Sequence, residues 1–96
     1  MDSLGQFTQF LESASNDPRI GASHISLYMT LYRYWIYNHC VDPVYIIRGE
    51  VMKNAKISGI ATYHKCIKEL NEYGYIRYLP SYRPKSNTKV YLSRAL

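Results

Sequence analysis

The stretch Ile57-Ser58-Gly59-Ile60-Ala61-Thr62-Tyr63-His64-Lys65-Cys66-Ile67-Lys68-Glu69-Leu70-Asn71-Glu72-Tyr73-Gly74-Tyr75-Ile76-Arg77-Tyr78 changes its apolar period halfway along. Up to Tyr73 the residues Ile60, Tyr63, Ile67 and Leu70 recur three or four apart, the spacing of one helix face. Beyond Gly74 the period falls to two, with Ile76 and Tyr78 alternating with Arg77 and Leu79, as in a half-buried strand. Gly74 stands just past the last turn, where a left-handed residue closes many helices. Ser58 has the side chain of a good N-cap. The spacing predicts a helix over 58–73 and a strand after it.

Upstream, Arg48 to Lys56 reads as a short helix with Val51, Met52 and Ala55 inward, and Ile57-Ser58-Gly59 as the break between two helices. Downstream, Pro80 to Thr88 carries two Pro, two Ser and an Asn, which makes a loop. Val90 and Leu92 then alternate with Lys89, Tyr91 and Ser93, so a hairpin over about 75–93 is expected. Val44-Tyr45-Ile46-Ile47 is a short β-branched and aromatic run, a brief strand.

The N-terminal half is helical by the same test. Leu4, Phe7, Phe10, Leu11 and Ala14 form a stripe on a helix from Ser3 to Ala14, and Ser15-Asn16-Asp17-Pro18 ends it. A longer helix is expected from an N-cap at Ser23 to about Asn38. It carries two adjacent stripes, Ile25, Tyr28, Tyr32 and Trp35 beside Leu27, Leu31 and Tyr34. So wide an apolar arc exceeds what a surface helix needs. This helix is either central or meets a second chain. Core is the stronger reading for Tyr28, Tyr32 and Trp35. A homodimer contact is expected to use Phe7, Phe10, Leu11, Leu27, Leu31 and Tyr34.

The expected fold class is α+β, mainly α: a winged helix-turn-helix with a three-helix core, an extra N-terminal helix and a C-terminal β-hairpin wing. The 96 residues make one domain, with an extension over 1–20 and a core over 21–96. With 47% apolar residues, the chain is not a disordered tail.

Charge is divided unevenly. Residues 1–47 hold two Lys/Arg against four Asp/Glu, and residues 48–96 hold ten against three. A basic C-terminal half points to a polyanion partner. The second helix of a helix-turn-helix pair lies in the major groove, so its outer face must donate to phosphates and base edges. That face is expected to hold Ser58, Gly59, Thr62, Lys65 and, further round, Lys68. Small residues let the helix approach, Thr62 meets a phosphate or a thymine methyl, and Lys65 a phosphate or a guanine. Glu69 and Glu72 lie at the far end, away from DNA. The hairpin loop offers Tyr82, Arg83, Lys85, Asn87 and Lys89 to the backbone or minor groove. The expected partner is double-stranded DNA.

The run Ile57 to Leu70 followed by Gly74-Tyr75-Ile76 resembles the general winged-helix signature. There, a Ser-capped recognition helix carries a Thr and a basic residue, then a Leu, then Gly-aromatic-Ile leading into the wing. With His24-Ile25-Ser26-Leu27-Tyr28 and Pro80-Ser81-Tyr82, the chain from Phe10 through Leu92 is similar to small winged-helix proteins of Bacteroidetes genomes and their mobile elements, usually called transcriptional regulators. The resemblance implies a DNA-binding fold, and DNA contacts at Ser58, Thr62, Lys65, Arg83, Lys85 and Lys89. Winged helices also serve as replication-initiation and protein-interaction modules. A non-catalytic module of a mobile element is therefore the alternative reading.

Other chemistries are less well supported. His24, His39, His64, Cys40 and Cys66 lack Cys-x-x-Cys or His-x-x-x-His spacing, so no metal site is expected. A Cys–His nucleophile needs an orienting group and a cleft, and no catalytic site is expected. The five Gly stand singly, so no phosphate loop or cofactor is expected. Cys66 reads as a small buried hydrophobe. Stacking of tyrosines on single strands needs them on a basic surface, but most lie in the acidic half. Met1-Asp2-Ser3-Leu4 lacks a basic leader and no stretch is long and apolar enough to span a membrane, so a cytoplasmic location is expected, with no membrane partner.

Overall fold

The long apolar helix is the axis of the molecule. A computed structural model describes residues 3–80 and 88–92. Its elements in order are α1 (Ser3–Ser15), α2 (Ala22–Tyr37), β1 (Val44–Ile46), α3 (Arg48–Ala55), α4 (Ile60–Glu72), β2 (Arg77–Leu79) and β3 (Thr88–Tyr91). The architecture is α+β and mainly helical, with four helices and one small antiparallel sheet among the described residues. None of these helices is long and apolar enough to cross a membrane.

Both stripes of α2 are spent on the chain's own core. Leu27, Tyr28, Leu31 and Trp35 have no exposed surface, and α1, α3, α4 and β1 all pack on this helix. From α1, Phe10 stacks on Tyr28 with ring centroids 3.6 Å apart and planes within 6°. Tyr75 meets the same Phe10 ring edge-on at 5.3 Å. Stacked and edge-on pairs both suit the ring quadrupole.

This packing corrects the expected dimer contact. Phe10, Leu27 and Leu31 are fully buried within one chain and have no surface to offer a second. Phe7 is half-buried against Tyr32, with ring centroids 5.1 Å apart. Tyr34 is half-buried and accepts a hydrogen bond from Asn54. Only Leu11 is exposed.

Helix ends follow one pattern. At the end of α4, Gly74 N–H donates to Asn71 O and Tyr75 N–H to Leu70 O, the paired bonds of a Schellman motif, with Gly74 at φ 85°. In α3, Lys56 and Ile57 N–H donate to Lys53 O and Met52 O, with Lys56 at φ 62°. In α2, His39 and Cys40 N–H donate to Ile36 O and Trp35 O, with both residues at φ 59°. Each motif places its next residue, Tyr75, Ile57 or Cys40, against the core.

The helix starts differ from expectation. Gly21, not Ser23, precedes α2, and its N–H donates to His24 Nδ1 at 3.0 Å. The imidazole thus takes the place a Glu holds in a capping box. Gly59, not Ser58, precedes α4, with no side-chain cap, and Ser58 is exposed one residue further out.

In the sheet the order is β1-β3-β2, all antiparallel. Val44 on β1 and Tyr78 on β2 both register with Val90 on the middle strand. Val44, Ile46 and Val90 face the core, while Tyr45, Arg77, Leu79 and Lys89 are exposed on the other face. Leu92 ties the end of β3 down: its N–H donates to Asp42 Oδ1 and its carbonyl accepts from Gln6 Nε2.

Candidate nucleic-acid interface

Helix α4 is amphipathic, and its buried side fixes which residues can reach a partner. Tyr63, Cys66, Ile67 and Leu70 are buried. At 100° per residue, the line opposite them runs through Ala61, Lys65, Lys68 and Glu72, all exposed. Ile60 was expected inward but is 48% exposed; as the first residue of the helix it lies at the edge of the stripe, and Cys66 fills the buried arc instead. Burial also pushes the Cys66 thiol up from its ordinary value, because desolvation disfavours the thiolate.

The predicted contacts divide by flank. Lys65 and Lys68 lie on the outward line. Thr62 is exposed on the flank that also carries Glu69, and Gly59 is exposed at the helix start. A Cβ on Gly59 would lie 3.4 Å from Thr62 Oγ1, so a small residue keeps this corner open.

Glu69 is not idle at the far end of the helix. Its Oε1 lies 2.7 Å from His24 Nε2, and this bond holds its carboxyl below the usual carboxylate range. Because Nδ1 of His24 accepts from Gly21, Nε2 is the nitrogen that carries the proton to Glu69. The pair locks the start of α2 to α4 and holds the Glu69 carboxylate against α2. Glu72 remains exposed on the same line as Lys65, two turns or about 10 Å further along.

Beside this pair lies a second anchor. The Asp17 carboxylate accepts from Arg19 Nε and Nη2 at 2.9 Å, from the Arg19 backbone N–H at 3.0 Å and from the Tyr75 hydroxyl at 2.8 Å. The Arg19 guanidinium stacks on Tyr73, 3.9 Å from its centroid. These contacts fix the loop after α1 to the end of α4.

Of the expected wing residues, Tyr82, Arg83, Lys85 and Asn87 lie outside the described residues. Lys89 is not at a loop tip. It sits on the middle strand β3, exposed on the outer sheet face, in register with Tyr45 and Leu79.

Sequence reasoning missed a groove between α4 and the hairpin. It encloses about 450 Å³ and is lined by Arg48, Tyr63, His64, Lys68, Tyr78 and Thr88. Arg48 is the first residue of α3, and Tyr78 and Thr88 come from β2 and β3. The Tyr78 N–H donates to Asn71 Oδ1 at 2.9 Å and holds β2 against α4. Tyr63 forms the buried wall, and desolvation, with Tyr78 adding to it, pushes its phenol up to about 12. The His64 ring meets Tyr63 edge-on at 5.3 Å. The basic start of α3 was the available signal, but pairing it with α4 required the fold. Among the described residues no three His, Cys, Asp or Glu side chains are grouped as metal ligands.

No family model, curated protein or solved structure matches this chain.

Proposed function

We propose that this chain is a winged-helix protein that binds double-stranded DNA and acts as a cytoplasmic transcriptional regulator. Helix α4 enters the major groove, and the hairpin of β2 and β3 is the wing against the backbone. The observation that carries the reading is the outward line of α4, where Lys65 and Lys68 stand exposed opposite a fully used core face. Two further features support it. The α3–α4 pair is joined by the short turn 56–59, and β1, which lies between helices in the chain, pairs with the last strand to give the order β1-β3-β2. That arrangement braces the hairpin beside α4. Exposed Arg77 on β2 extends the basic surface.

The proposal is made for the single chain. A homodimer through Phe10, Leu27 and Leu31 has lost its contact to the core.

Substitution of the outward lysines tests the face. Lys65→Ala and Lys68→Ala should each weaken binding to duplex DNA, and each should flatten the salt dependence by about 0.9 in log–log slope for a lost phosphate contact. If Lys65 reaches a base edge, its loss should also relax sequence preference, by roughly 1–3 kcal/mol at one position. Binding equal to that of the unaltered chain in both variants would reject α4 as the reading helix. Stronger binding to single strands than to duplex would move the reading to a single-strand binder.

A further inference from the structure

The groove between α4 and the hairpin has an unbalanced charge. Arg48, His64 and Lys68 line it together with Tyr63, Tyr78, Pro80 and Thr88, and no carboxylate lines it among the described residues. Neither Arg48 nor Lys68 takes part in an ion pair among the described residues, where Asp17 pairs with Arg19 and the Glu69 carboxylate accepts from the His24 ring. Like charges brought to one concavity repel each other unless an anion sits between them. A guanidinium fork, an ammonium, an imidazole and a hydroxyl are the donor set that phosphoryl oxygens take. The raised Tyr63 group stays a neutral phenol at physiological pH and adds no negative charge to the wall.

We propose that this groove is a phosphate-binding site, in which Arg48 and Lys68 neutralise a phosphoryl oxyanion and His64 and Thr88 orient it. The phosphoryl group can belong to a strand of bound DNA or to a small free phosphate compound. The first source rests on the duplex reading above and the second does not. A free phosphate here would occupy ground beside Lys68 and so compete with DNA.

The test compares the unaltered chain with Arg48→Ala/Lys68→Ala and with a charge-matched control, Lys53→Ala/Lys56→Ala, whose residues are exposed and outside the groove. In one arm inorganic phosphate is titrated while backbone amide shifts are followed by NMR, which also reports whether each variant keeps the fold. In the other arm, duplex affinity is measured across salt concentrations. Saturable shifts at residues 48, 63, 64, 68, 78 and 88, weakened at least about tenfold in the groove variant and not in the control, establish the site for a free phosphate. No saturation, with a salt slope reduced by about 1.8 in the groove variant and the affinity of the control less affected, establishes it for a DNA phosphate. Equal losses in both variants, or no loss in either arm, overturn the proposal even if the unaltered chain binds DNA. Phosphate saturation without any DNA binding leaves the groove standing and removes the duplex reading.

Discussion

Leu31→Ala separates a core residue from a contact residue. Leu31 lies at the middle of α2 with no exposed surface, within the cluster that includes Leu27, Tyr28 and Trp35. Its truncation removes buried methyl groups and leaves a cavity that the surrounding helices only partly close. The expected loss is about 3 kcal/mol, within the range of roughly 2–5 kcal/mol for buried Leu→Ala. For a domain of about 100 residues this lowers Tm by roughly 10–25 °C. Urea unfolding followed by Trp35, the single Trp of the chain, measures it. Leu11→Ala is the control: Leu11 is 36% exposed, and its loss should change stability by no more than about 0.5 kcal/mol. Both curves should be independent of protein concentration over a tenfold range. A Leu31→Ala loss under about 1 kcal/mol, or an unfolding midpoint that rises with concentration, would refute the packing argument and restore the intermolecular contact.

Gly74→Ala and Lys56→Gly should act in opposite directions. Gly74 has φ 85° and open space around a would-be Cβ, so the penalty is purely conformational, about 1–2 kcal/mol in urea unfolding. Lys56 holds the same left-handed position at the end of α3, so Lys56→Gly should stabilise by roughly 0.5–1 kcal/mol. Acid should weaken the anchor at Asp17. Hydrogen bonds from Arg19, with that of Tyr75, hold its carboxyl well below the usual carboxylate range. A carboxyl depressed on folding contributes stability above its unfolded value of about 3.9 and loses it as pH falls through the folded value. Urea midpoints at neutral and acid pH should therefore fall less in Asp17→Asn than in the unaltered chain.

Local signals were legible in the sequence and non-local ones were not. The change of period at Gly74 marks the end of α4, because a helix stripe, a strand alternation and a left-handed glycine all act within a few residues. Lys56 and His39 gave no such sign, since their left-handed conformation comes from the core positions of Ile57 and Cys40. Ser23 and Ser58 have good capping side chains, yet Gly21 and Gly59 precede the helices; at the first, His24 supplies the capping atom from inside the helix. The double stripe of α2 shows that a wide face must be buried, and cannot say by what. Here α1, α3, α4 and β1 cover it, so Phe10, Leu27 and Leu31, expected at a dimer contact, became core. Lys65 and Lys68 could be placed outward from spacing alone. The groove could not, because α3, α4, β2 and β3 each contribute to its walls.

The most direct test of the central claim is the affinity of the unaltered chain for random-sequence duplex DNA, measured by fluorescence anisotropy over a series of salt concentrations. The account predicts a complex at low salt whose log affinity falls linearly with log salt, with a slope of about −0.9 for each phosphate neutralised. Several such contacts, from Lys65, Lys68 and the hairpin cations, make that slope steep. No binding at low salt, or an affinity that barely responds to salt, would contradict it.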